Sequence, residues 1–302
     1  MKRSVHFLYG KRDGGISPTE AIEYFARMGA ENVELPVEPF LETDQEGVKS
    51  ILRQAADAGI EVVLSTGFPP ACDMASDDEA IRKAGKAHME KILAVMEAGN
   101  IELLGGTLCT CWPAYRTTVL TPEQKSSLTQ RTAECFAEAV MRAPEIGATL
   151  AIEPVNRFEG FLINTAQEGV DFCKAVGSAA VGIMLDGFHM AVEENSIADA
   201  VRCASGYLKH LHCAENNRRL PGTGEFPWDA FFGALKEIDY QGRFGIEAFT
   251  VAGGSVSASV ALWRDLSDNA DQAGLDEQLM ASLAFLKSKG AEYGQSNVAN
   301  SY

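Results

Sequence analysis

Basic charge is scarce in this 302-residue chain: 26 lysines and arginines stand against 42 aspartates and glutamates, a formal net charge of −16. A surface of that sign repels polyanions. It excludes a nucleic-acid coat or a binder of anionic membranes, although one local basic group still suffices for a small charged substrate. Long apolar runs are missing as well. The first, Val5–Tyr9, is too short for the core of a signal peptide and is soon followed by more charge. No stretch approaches 18 uninterrupted apolar residues, so no membrane span is expected. The seven cysteines are odd in number and scattered, and Cys109-x-Cys111 falls one residue short of the spacing of redox and zinc motifs. They read as reduced thiols of a cytoplasmic protein. No Gly-x-Gly-x-x-Gly follows the first apolar run, which weakens the case for a doubly wound nucleotide-binding sheet.

What is present is a regular alternation. Eight short apolar or β-branched runs read as strands: Val5–Tyr9, Asn32–Leu35, Glu61–Ser65, Ile101–Gly105, Thr149–Glu153, Val181–Asp186, Tyr207–His212 and Phe244–Glu247. Amphipathic segments lie between them, at Pro18–Met28, Val48–Ala58, Asp77–Ala98, Pro122–Ile146, Ala166–Val176 and Trp228–Ile238. Proline at the first turn and glycine after the last mark several of these helices. Strict β-α alternation implies a parallel sheet, and eight repeats imply closure into a (β/α)8 TIM barrel, an α/β fold. No linker divides the chain, so one catalytic domain is expected over 1–290. It would include a glycine turn at Ala252–Gly254 and a long helix to about Lys289. The polar tail 291–302 is expected to fray.

Four side chains stand at the ends of the last four strand runs: Glu153 (AIEP), Asp186 (IMLD), His212 (HLHC) and Glu247 (GIEA). They are spaced roughly 30 residues apart, about one β-α unit of a barrel, which would aim all four into one mouth. Three converging carboxylates repel one another, and a divalent cation resolves the conflict. Oxygen-rich coordination with one imidazole suits Mn²⁺, with Co²⁺ or Mg²⁺ as alternatives. A single strand-end carboxylate would read as a cap or loop salt bridge; four in phase with the repeat read as a metal site.

The loops behind these residues carry Asn156, Arg157, Glu159, His189, Glu215, Arg218 and Arg219. Arg157 reads as one half of a structural ion pair. The Arg218-Arg219 pair is either a phosphate clamp or a solvated loop face. Trp112 in CTCWPAY is either a wall for a sugar or a loop anchor. Glu34 could support the metal site through a further hydrogen bond. His6 points inward or sits satisfied in the core, and His88 and His210 read as structural.

The segments IEPVNRFEGFLINTA, IMLDGFHMAVEE, HLHCAENNRRLPGTGEFPW and GIEAF…WRDLS carry a resemblance. They are similar to the D-tagatose/D-psicose (D-allulose) 3-epimerase family of xylose-isomerase-like TIM barrels. The resemblance implies one Mn²⁺-like ion on Glu153, Asp186, His212 and Glu247. It also implies that Glu159, His189 and Arg218 hold a ketose around O1, O2 and O3. The chain departs from the family pattern in HFLYGKRDGG, LSTGFPP and CTCWPAY, loops that the resemblance assigns to the distal end of the sugar. The expected activity is epimerisation of a free ketose at C3 through a cis-enediolate, with Glu153 and Glu247 as the acid/base pair, in a cytoplasmic homodimer or homotetramer. Alternatives on the same scaffold are an aldose–ketose or hydroxypyruvate-type isomerase and a sugar-phosphate epimerase. A nuclease of this superfamily would need more than five histidines and a basic face.

Overall fold

The strand-forming runs are buried on both faces, as a parallel sheet wrapped in helices requires. All five residues of Asn32–Pro36 and all six of Val181–Asp186 are buried. In the computed structural model, which describes residues 2–15 and 17–294, eight strands close into a barrel in sequence order. They are β1 (Lys2–His6), β2 (Asn32–Pro36), β3 (Glu61–Phe68), β4 (Leu103–Cys111), β5 (Thr149–Ile152), β6 (Val181–Asp186), β7 (Leu208–Cys213) and β8 (Arg243–Ile246). Each pairs in parallel with the next, and β8 returns to β1 through Ser4 opposite Gly245 and Val5 opposite Ile246. The chain is therefore a single-domain TIM barrel.

The helices are α1 (Pro18–Arg27), α2 (Glu38–Leu41), α3 (Gln45–Asp57), α4 (Glu79–Gly99), α5 (Pro122–Ala139), α6 (Ala166–Val176), α7 (Gly187–Glu193), α8 (Ile197–Cys203), α9 (Trp228–Glu237), α10 (Gly254–Ser259) and α11 (Gln272–Gly294). Local chemistry starts them where the sequence signals it. Thr121 and Gln124 form a reciprocal capping box on α5, and Thr165 caps α6.

Several boundaries differ from the sequence reading for identifiable reasons. Helix α5 stops at Ala139 instead of Ile146, because Pro144 has no N–H to continue the ladder and the chain turns at Val140–Ala143. Strand β1 ends at His6, where Tyr9 turns back to the His6 carbonyl and Gly10 takes a left-handed φ of 69°. The long helix expected after Gly254 is split into α10 and α11. Ala261, Asp268 and Asn269 between them all adopt positive φ, and the Asp265 carboxylate accepts from the Ser267 and Asn269 amides. Ala291–Gly294, placed with the tail by sequence, continue α11; 295–302 lie outside the described residues. All seven cysteines are unbridged, and no helix among the described residues is long and apolar enough to cross a membrane.

Candidate active site

Strand ends carry the four expected ligands to one point. Glu153 and Glu247 each sit one residue past their strands, β5 and β8, and their amides extend the ladder to Gly106 (3.0 Å) and Cys213 (3.3 Å). Asp186 closes β6 and caps α7: its Oδ1 accepts from the amides of Phe188 (2.6 Å) and His189 (3.2 Å), leaving Oδ2 for the site. His212 lies near the end of β7, with Nδ1 3.0 Å from Glu247 Oε2 and 3.8 Å from both Glu153 Oε1 and Asp186 Oδ2. One ligand atom from each of the four falls within 4.8 Å of all the others.

That cluster is short of partners. Glu153 Oε1, His212 Nδ1 and Glu247 Oε2 are buried without an aligned hydrogen bond. Buried polar atoms left in this state are costly, and a divalent cation satisfies all of them at once. Three carboxylates and an imidazole suit a hard or borderline ion. The residues fit the group that the sequence pattern implied.

The imidazole is held from behind. Glu34, on β2 and fully buried, accepts from His212 Nε2 (2.6 Å) and His210 Nε2 (3.0 Å) through its two oxygens. With Glu34 accepting from Nε2, it is Nδ1 of His212 that faces the carboxylates, where a bound cation would take the place of its proton. Gly245 makes room for this: a Cβ there would lie 2.1 Å from Glu34 Oε1.

Around the cluster opens a cavity of about 250 Å³, lined among others by Trp112, Glu159, His189 and Arg218. His189 Nδ1 accepts from the Asn156 amide (3.2 Å) and from its side-chain nitrogen (2.8 Å). This places the ring proton on Nε2, 3.6 Å from Glu153 Oε1. Glu159 accepts from Asn156 Nδ2 (2.9 Å) and Trp112 Nε1 (3.0 Å). Trp112 is thus anchored and lines the cavity at the same time. Arg218, with φ 68°, is sandwiched between the rings of Phe188 (4.6 Å) and Phe249 (5.0 Å), and pairs with Asp186 and Glu247.

A family described as xylose isomerase-like TIM barrel matches residues 22–286. The D-psicose 3-epimerase of Agrobacterium fabrum is 36% identical over 285 residues, 94% of this chain and 98% of that protein. The chain belongs to the D-tagatose/D-psicose 3-epimerase family. It is an enzyme of the isomerase class. The L-ribulose 3-epimerase of Mesorhizobium japonicum is 30% identical over 76% of this chain and 77% of its own. A crystal structure of a D-psicose 3-epimerase in the presence of D-fructose superposes with a TM-score of 0.92 at 35% identity, covering 96% of this chain and 99% of that one.

In this epimerase-family site, burial would push the carboxylates up, and neighbouring charges decide each outcome. Burial holds Asp186 above the usual carboxylate range despite Arg218. For Glu247 burial is outweighed by Arg218 and His212, which hold it well below that range. Burial disfavours a charged His212, yet Glu247 and Glu34 raise it well above ordinary imidazole. Burial lowers His6, whose Nε2 is 3.8 Å from Glu247 Oε1.

Other loop residues prove structural. Arg157 pairs with Glu193 through two nitrogens at 2.9 Å. Glu215 accepts from the amides of Gly222, Thr223 and Phe226 and from Trp228 Nε1. Arg219 turns away to Asp268 (2.6 Å) and does not line the cavity, so the two arginines form no clamp. His88 packs on Phe68, away from the site. His210, read from sequence as structural, instead shares Glu34 with the ligand His212; the signal for it was the alternation in HLH, which points both rings inward. Asn156 was visible only as a loop polar residue, yet it fixes both His189 and Glu159.

Proposed function

We propose that this protein is a metal-dependent epimerase of free ketoses, inverting C3 through a cis-enediolate. The observation that carries the reading is the pair Glu153 and Glu247. They belong to non-neighbouring strands, each has a buried oxygen without an aligned hydrogen bond, and both border the same cavity. Such a pair can take a proton from one face of C3 and return one to the other. Glu153, Asp186, His212 and Glu247 would hold the divalent ion, Mn²⁺ foremost. When bound, it supplies positive charge that stabilises the oxyanions developing at O2 and O3.

The other residues divide the remaining work. His189, with its proton on Nε2, donates towards the carbonyl end of the sugar, and Glu159 accepts from the O1 hydroxyl. Arg218 donates to O2 while its two aromatic neighbours keep water from the guanidinium. The relatives named D-psicose and L-ribulose 3-epimerases support ketohexoses and ketopentoses as the substrate class.

An unphosphorylated sugar is favoured by charge. Among the described residues that line the cavity, Arg218 is the only lysine or arginine; it is engaged by Asp186 and Glu247, and the acidic Glu38 also borders the cavity. Protein stripped with a chelator and reloaded with Mn²⁺ should epimerise D-fructose, D-psicose, D-tagatose or L-ribulose, with the product resolved by chromatography. The stripped protein should be inactive, and the terminal phosphate of a ketose should give no gain in kcat/KM. Full activity without metal, or a preference of several orders of magnitude for the phosphate, would overturn the reading.

A further inference from the structure

Two of the carboxylate oxygens in the ligand cluster are shared with a cation of the chain itself. Arg218 Nη1 donates to Asp186 Oδ2 (2.5 Å), and Nη2 lies 2.9 Å from Glu247 Oε2. These are the same two oxygens that His212 Nδ1 approaches, at 3.8 and 3.0 Å. The atoms that would ligate a divalent ion thus also serve a guanidinium.

The arginine is fixed in that position. Its side chain is 13% exposed and lies between the rings of Phe188 and Phe249. Its backbone is bonded at both ends: the amide donates to the Glu215 carbonyl (2.9 Å), and the carbonyl accepts from the Phe249 amide (3.0 Å). The two carboxylates have other supports. Asp186 Oδ1 is held by the amides of Phe188 and His189, and the Glu247 amide continues the ladder to Cys213. What Arg218 adds is therefore mainly charge. A buried carboxylate pair is stabilised by a cation beside it. The same positive charge repels a divalent ion on the shared oxygens, and this repulsion outweighs the 10- to 100-fold typical of a lost supporting bond.

We propose that Arg218 is the cluster's own counter-charge, which stabilises the buried carboxylates and loosens their hold on the divalent ion, keeping that ion exchangeable. The inference rests on the four-ligand metal reading above and concerns how tightly that site binds. Wild-type protein, Arg218→Met and Arg218→Lys are stripped with a chelator and titrated with Mn²⁺, the free ion being read by its paramagnetic resonance. Thermal unfolding is followed on the stripped and loaded forms. Methionine removes the charge and keeps an unbranched chain between the two rings; lysine keeps the charge.

The methionine variant should bind Mn²⁺ about tenfold tighter or more, while its stripped form melts about 5–10 °C lower. The lysine variant should stay near wild type in both. A merely structural role for Arg218 predicts the opposite sign, since a damaged site binds the ion more weakly. Equal or weaker Mn²⁺ affinity in the methionine variant, or a stripped form as stable as wild type, would overturn the proposal. If the stripped methionine variant does not stay folded, release of Mn²⁺ from the loaded protein into excess chelator is timed instead. Release about tenfold slower than wild type supports the proposal, and equal or faster release refutes it. If the wild-type protein binds no Mn²⁺, the four-ligand reading itself falls; wild-type binding with no gain in the methionine variant refutes the role of Arg218 alone.

Discussion

Several residues of the site are fixed by hydrogen bonds from neighbours that are not themselves candidate ligands. Asp186 is held by the amides that begin α7, His189 by Asn156, and His212 by Glu34. The last case makes a sharp prediction. A carboxylate accepts from both histidines, whereas an amide has one carbonyl oxygen and must face the other ring with its N–H₂. In Glu34→Gln one imidazole therefore has to move its proton to Nδ1 or lose its bond. Mn²⁺ affinity, measured by titration of the free ion's paramagnetic resonance signal, should fall 10- to 100-fold, about the cost of losing such a support. An unchanged affinity in a folded variant would show that Glu34 does not orient the site.

At the scale of elements, the sequence exposed the eight-fold repeat and the phase of its strand-end residues. Each of these rests on short-range pattern: buried runs of four to six residues, proline at helix starts, and one functional side chain per strand end. Ends that depend on distant partners were less legible. Strand β4 runs on to Cys111 instead of stopping at Gly105, because Gly106 adopts φ 122° and the ladder shifts register between Gly67 and Phe68.

The support behind the site was hidden for a similar reason. Glu34 and His210 are 176 residues apart in sequence, and only barrel closure brings them together. Gly106 also ties an element to the chemistry, since its carbonyl accepts from the Glu153 amide. Alanine at 106 would combine a disfavoured φ with a backbone clash on Thr66. Urea unfolding should show a loss of about 2–4 kcal/mol. Wild-type stability would mean that the β3–β4 seam is looser than its geometry implies.

For the molecule as a whole, the closed barrel turns scattered sequence into a two-sided cavity. Strands β5–β8 and the loops after them supply the carboxylate cluster and Arg218, and β1–β4 supply the facing wall, which carries the hydroxyls of Thr66 and Thr107. The net charge of −16 bears on solubility and on exclusion of polyanions, while the local charge of the cluster calls for a cation. The proposed chemistry is a proton exchange at one carbon, between two carboxylates that would reach it from different strands. Product NMR after turnover in D₂O tests that most directly. A proton removed by one glutamate and replaced through the other exchanges with solvent, so the epimeric ketose should carry deuterium at C3, with aldose absent or minor. Deuterium confined to C1 or C2, together with a growing aldose signal, would contradict 3-epimerisation even if all four ligands bind the metal.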